Sequence, residues 1–351
     1  MTPYLRKKIR VTERKNRRMF EYVITRPMGF IIEHIYNFCQ NYGLAIILFT
    51  IIIKLILMPL NIRSQKAMRK QQKIQPVLQE LQKKYANDQQ KLQQETMKLY
   101  KENNISMMGG CLPLLLQMPI LIGLYRVIQS PLSYLLNIQW GDLADAANPV
   151  VTEILRLRDG MAELGYNLGN YATAAADAIV KTGQIQLSKW AQVIGINGTA
   201  LEGVTGNAHP WSINFNFLGL DLSNAPSASI NKFMALDFSD LGVVLLILIP
   251  VLAVASSLLS MKITQMQSGQ TNSAAEGGAA SMSKTMTWMM PIMTGFFTFT
   301  LPAGLGLYWI ISSLVQVVQQ LGLNYYFDRK GEDESVIIPE KKIQHGKKRK
   351  K

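Results

Sequence analysis

The stretch "MMPIMTGFFTFTLPAGLGLYWIISSLVQVVQQ", Met289 to Gln320, holds two apolar runs separated only by "LPAG", Leu301–Gly304. Each run approaches the ~20 residues that carry a helix across ~30 Å of hydrocarbon. With so short a connection the two must form a tight helical hairpin. Three similar runs lie upstream, so the expected spans are Gly43–Leu60, Gly110–Ile128, Leu241–Met261, Thr285–Leu301 and Ala303–Leu323. The first and fourth are a little short. Pro59, Pro113, Pro119, Pro250 and Pro291 fall in or at the ends of these runs. Membrane helices tolerate proline where neighbours satisfy the freed carbonyls. The expected fold class is therefore all-α: a polytopic membrane protein with five core transmembrane helices.

Composition narrows the function. The chain has 351 residues, 48% hydrophobic and 17% charged, with a formal net charge of +14. In a soluble protein that charge would point to nucleic acid. Here the basic residues lie between long apolar runs, which points to a membrane and away from DNA. Cys39 and Cys111 make no disulfide framework or zinc spacing, and His34, His209 and His345 are too scattered for a metal site. No Walker motif, HExxH, GxSxG or nucleophile–base set occurs, so neither an enzyme nor a cofactor is expected.

Basic residues in the loops set the expected orientation. Asn61–Met107 has ten Lys/Arg against four Asp/Glu, and the tail Tyr326–Lys351 has nine basic residues, ending in "KKRKK". Pro131–Asp240 has five basic against ten acidic residues. The N-terminus is thus expected outside and the C-terminus in the cytosol, with residues 262–284 a cytosolic loop. Residues 1–18, with eight basic side chains, dissent. They read as a basic extension or a mis-assigned start, Met19 being a natural beginning. Between 19 and 41, Ile24, Met28, Ile31, Ile35 and Phe38 recur at helical spacing opposite Glu33 and Asn37. That is an amphipathic helix, either lying in the outer interface or packed on the protein's own outer loop. Residues 61–107 form a polar helical hairpin turning at Ala86–Asp88, with Pro76 kinking its first arm. It is read as an arm meeting clients, ribosome or lipid head groups, or as a solvated connector. Without aromatic interleaving, it offers no base-stacking platform. In 131–240, "PVVTEILRLRDGMAEL" and "NYATAAADAIVKTG" look helical, and a small core is affordable there. "NGT" at Asn197 matches a glycosylation acceptor but carries little weight.

The five runs contain no Asp or Glu, yet Lys54 sits inside the first. A lysine at mid-span costs on the order of 2.5–3.5 kcal/mol on insertion scales. One reading is snorkelling, since Leu60 is roughly 9 Å further along the helix. The other is a hydrated hollow. Thr50 lies one turn before Lys54, and Tyr308, Ser312, Gln316 and Gln319 or Gln320 make a polar stripe in the fifth run. Gln117 sits inside the second run, and Thr294 and Thr298 share a face of the fourth. Each alone is ordinary interhelical glue.

The runs "MGGCLPLLLQMPILIGLYRVI" (Met108–Ile128), "KLILMPL" (Lys54–Leu60), "FLGLDLSNAP" (Phe217–Pro226) and Met289–Gln320 resemble the YidC membrane-protein insertases. Mitochondrial Oxa and chloroplast Albino proteins are relatives of that family. The resemblance covers roughly 19–137 and 214–325, is closest to the Gram-positive type, and leaves an insertion at 138–213. It implies a hydrophilic groove open to cytosol and lipid, lined by Lys54, Thr50, Gln117, Tyr308 and Trp309, to which the polar stripe adds Ser312 and Gln316. Lys54 stands where the family carries arginine. The implied partners are nascent membrane proteins, the ribosome through the basic tail and hairpin, the Sec translocon, the signal recognition particle pathway and anionic lipids, in a bacterial plasma membrane. The rival reading is an anion channel or transporter with Lys54 as its site, but neither inverted repeats nor paired broken helices are evident.

Overall fold

The computed structural model describes residues 19–105, 112–138, 140–141, 143–145, 148–194, 211–235, 241–268, 289 and 291–330. The 1–18 extension, Cys111, Asn197, most of the 262–284 loop and the tail beyond Lys330 lie outside these. The described residues are mostly helical. After a π-helical turn at Glu21–Thr25 come α1 (Arg26–Cys39), α2 (Tyr42–Ile56), α3 (Met58–Lys84), α4 (Gln89–Glu102), α5 (Leu112–Gln129) and the short α6 (Pro131–Tyr134). Then follow α7 (Pro149–Glu163), α8 (Ala176–Thr182), α9 (Gln184–Ile194), α10 (Ile230–Met234) and α11 (Leu241–Ser268). The last two are α12, residues 291–300, and α13 (Ala303–Lys330). Two short strands, β1 (Asn216–Phe217) and β2 (Leu220–Asp221), pair antiparallel.

Among the described residues, Leu241–Thr264 and Ala303–Arg329 are each long and apolar enough to cross a membrane. Tyr42–Ile56 and Met58–Lys84 pass the same test only when joined as one interrupted span. The interruption has a local cause. Pro59 sits in the first turn of α3, where its missing N–H is harmless, but it cannot continue the hydrogen bonding of α2.

Two compact units divide the chain. The first takes the chain up to Ile53, then Leu116–Ala253 and Thr294–Ser312. Its core joins Ile32 and Tyr36 of α1, Tyr42, Ile46 and Phe49 of α2, and Leu124 and Ile128 of α5. Ile154, Leu157, Ile179, Leu187 and Trp190 of α7–α9 belong to the same core. The described part of the 131–240 segment therefore shares its apolar interior with α1, α2 and α5. In α1 the buried stripe is Met28, Gly29, Ile32 and Tyr36. A side chain on Gly29 would run into the Tyr134 ring at 2.7 Å, so α1 packs closely on α6. Phe38, expected on the apolar face, is 88% exposed because it lies roughly 120° round the helix from Ile32.

The segment after Trp211 ties this unit together. Leu218 and Gly219, at φ +53° and +81°, make the two-residue turn of the β1–β2 hairpin. Both positions need positive φ, which glycine adopts freely and leucine does not. Next, the carbonyls of Leu222 and Asn224 accept from Gly304 N and Ala303 N, each at 2.9 Å. The "LPAG" turn is thus bonded to the backbone beyond the hairpin. A Cβ on Gly304 would sit 3.1 Å from both Ile46 and Tyr42. From α9, Lys189 Nζ reaches Asp221 at 2.9 Å and Asn224 Oδ1 at 2.8 Å.

The second unit holds Lys54–Leu115, Val254–Met293 and the chain from Ser313. Its most distinct part is the α3–α4 hairpin, whose seam is Ile74, Leu78, Leu99 and Ile105 with Val77, Leu81 and Tyr100 against it. Asp88 caps α4 by accepting from Lys91 N at 3.0 Å. α3 runs through Pro76 as one helix. Near the end of α13, Arg69 of α3 donates to Asn324 Oδ1 (3.0 Å), pairs with Asp328 (3.0 Å) and lies over the Phe327 ring (4.9 Å).

Candidate functional site: polar side chains on the apolar helices

In the first unit, α13 presents Tyr308, which is buried. Its hydroxyl accepts from Gln117 Nε2 of α5 at 2.7 Å, and Ser312, also buried, stands one turn along α13. Gln117 and Tyr308 therefore form one hydrogen-bonded pair across two helices. Thr50 is fully buried and donates to Ile46 O at 2.7 Å, one turn back on its own helix. Its oxygen remains able to accept. Thr298 does likewise, donating to Thr294 O at 2.8 Å. Trp309 is not part of the polar set: it stacks on Phe297, with ring centroids 6.4 Å apart and planes 5° from parallel.

In the second unit, Lys54 is 9% exposed. Its Nζ reaches Gln316 Oε1 at 3.5 Å, the long limit of a hydrogen bond. Among the described residues no charged group offsets its burial. Three residues along α13, Gln319 donates from Nε2 to the Lys54 carbonyl at 3.0 Å and accepts from Asn61 Nδ2 at 3.4 Å. Thr264 Oγ1 of α11 lies between Ser260 O (2.9 Å) and Gln320 Oε1 (3.0 Å).

Sequence reasoning passed over three members of this second set. Ser256, Ser260 and Thr264 stand at steps of four on α11, and both serines are buried. The signal was the spacing within "SSLLSMKIT", masked by the high hydropathy around it. No group of three or more His, Cys, Asp or Glu is placed to hold a metal among the described residues. What the arrangement offers is noncovalent: a cation and several neutral donors and acceptors on otherwise apolar helices.

Comparison with known proteins agrees with this picture. The family model described as "60Kd inner membrane protein" matches residues 34–166 and 210–330. "Membrane protein insertase YidC" of Clostridium tetani (strain Massachusetts / E88) is 58% identical over 101 residues, 29% of this chain and 46% of that protein. The protein of that name from Syntrophus aciditrophicus (strain SB) is 45% identical over 105 residues, 30% of this chain and 19% of its own length. This chain thus spans under half the length of these two relatives. "Membrane protein insertase YidC 2" of Listeria innocua serovar 6a is 28% identical over 324 residues, 90% of this chain and 76% of that protein. The family model leaves out 167–209, the stretch that includes α8 and α9. Its two matched segments carry the polar residues of α2, α5, α11 and α13 together with the "LPAG" turn, and the chain belongs to the 60Kd inner membrane protein family, the family of the YidC and Oxa proteins.

Proposed function

We infer that this chain is a membrane-protein insertase that passes client transmembrane segments into lipid through a hydrophilic groove open to cytosol and bilayer. The observation that carries the reading is Lys54, a cation buried on an apolar helix with a glutamine and, among the described residues, no carboxylate for company. Sealed in hydrocarbon, such a charge would be costly; facing water or a polar client segment, it would not. The short polar outer segment of a client exchanges its water for Lys54, Thr50 and the polar row of α13, while its apolar helix moves along the spans into lipid. The membrane potential adds about 2.3 kcal/mol per charge per 100 mV for acidic segments moving outward. The work is done by solvation and field, with no bond made or broken.

The same reading places the chain in a bacterial plasma membrane, N-terminus outside and C-terminus in the cytosol. The α3–α4 hairpin and the basic tail meet the ribosome or anionic head groups, α1 lies at the outer interface, and insertion proceeds alone or with the Sec translocon and the signal recognition particle pathway. Its test is reconstitution of the full chain in liposomes with a small single-span client. Protease protection of the client's outer segment, without steady ion flux, is expected. Steady anion flux with no client insertion would mean a channel instead.

A further inference from the structure

The interruption between α2 and α3 leaves a backbone problem that one side chain solves. The last carbonyls of α2, Lys54 O among them, have no partner further along their own helix. An unsatisfied carbonyl on an apolar span is costly. Gln319 Nε2 fills that vacancy at 3.0 Å. Its other amide atom is held in turn, accepting from Asn61 Nδ2 in the first turn of α3 at 3.4 Å. One glutamine therefore bridges both sides of the break, bonding the last turn of α2 and the first turn of α3. Gln316, three residues earlier on α13, takes the Lys54 amine. Two glutamines on one helix hold the lysine by its backbone and by its side chain.

We propose that Gln319 is a positioning residue for Lys54: by bonding the Lys54 carbonyl and the Asn61 amide, it fixes the break in the span and aims the amine. The assignment rests on the insertase reading above. A glutamine with only a gluing role would stabilise the helices but would not distinguish one client from another.

The experiment uses the full chain in liposomes and two single-span clients, one with an acidic translocated segment and one with its acids changed to amides. Gln319→Leu and the nearly isosteric Gln319→Met are compared with Lys54→Ala and with the double variants, and melting in detergent checks that each is folded. The Gln319 variants are expected to lower insertion of the acidic client about two- to tenfold, the range set by one hydrogen bond. The neutral client should insert as with the unaltered chain, and Gln319→Met should add no further loss to Lys54→Ala. Equal losses for both clients, or additive losses with Lys54→Ala, would overturn the proposal. So would normal insertion of the acidic client by the Gln319 variants while Lys54→Ala impairs it. If Lys54→Ala itself inserts the acidic client normally, the role of Lys54 in the insertase reading fails, and this proposal with it.

Discussion

At the scale of single residues, Lys54 and Leu218 both occupy positions that ordinary preference would give to something else. Lys54 keeps a positive charge where its near neighbours are Gln316 and Gln319. If the charge is what matters, Lys54→Arg supports insertion of acidic clients and Lys54→Glu depresses it, read as protease-protected client in liposomes. Equal insertion by the two would remove Lys54 from the mechanism. Leu218 holds φ +53° with its side chain 83% exposed. Asn or Gly suits that turn position better, so Leu218→Gly or Leu218→Asn is expected to raise stability by about 0.5–1 kcal/mol, measured as the apparent Tm in detergent. The two residues differ in legibility. A lysine inside an apolar run announces itself in the sequence. A "LG" turn does not, because leucine carries no signal for positive φ. Gln319 was visible as one of a polar stripe, but its acceptor is a backbone carbonyl that becomes available only where α2 stops.

Among the elements, Leu241–Thr264 and Ala303–Arg329 follow two of the apolar runs, since apolar length is a local property of the chain, whereas the first run is long enough only when joined across the break to α3. "LPAG" also read directly as a turn. Its bonds to Leu222 and Asn224 did not, because they join residues about 80 positions apart through backbone atoms that have no sequence signature. On α1 and the turn before it, Ile24, Met28, Ile31 and Ile35 do pack on the core, but Phe38 is exposed while Ile32 and Tyr36 are buried, for a related reason. Several apolar residues surround that helix, and contact with α6 decides which of them are buried. The tie between α9 and the β1–β2 hairpin yields a pH prediction. Burial alone would raise the Asp221 carboxyl, but its bonds to Ser223 and Lys189 and the charge of Lys189 outweigh that and hold it below the ordinary carboxylate value. A depressed pKa contributes stability that is present above the unfolded value of about 4 and is lost as pH falls through the folded value. The apparent Tm should therefore drop more steeply on acidification below about pH 4 for the unaltered chain than for Asp221→Asn. At the far end of α13, one Arg69 nitrogen, Nη2, serves Asn324 and Asp328 together while the guanidinium lies over the Phe327 ring, so Arg69→Lys keeps the charge but not that planar stack. Faster amide exchange over the last turn of α13 is the expected result, with lysine restoring little of the protection lost in Arg69→Ala.

For the molecule as a whole, the first unit has one continuous core although the family model leaves out 167–209. Trp190 of α9 is 4% exposed within that core. Trp190→Ala should cost about 3–5 kcal/mol and lower the apparent Tm of the unit as one transition, because α9 has no separate interior in which to absorb the loss. An early, separate transition confined to α7–α9 would show that the segment is an independent lobe. Helix length has a further consequence. α13 runs from Ala303 to Lys330, about 42 Å at about 1.5 Å per residue, against a hydrocarbon layer of about 30 Å. If Ala303 marks one edge of that layer, Gln316 and Gln319 lie about 20 and 24 Å down, still within the depth of the layer. Asn324 and Asp328, at about 32 and 38 Å, have already emerged. On that placement the helix would work as a depth gauge: its amides contact Lys54 within the depth of the slab, and Asp328 in its last turn contacts Arg69 beyond it. A bilayer thinned by a few ångströms would bring the Lys54 amine closer to the water's edge without moving a single protein contact.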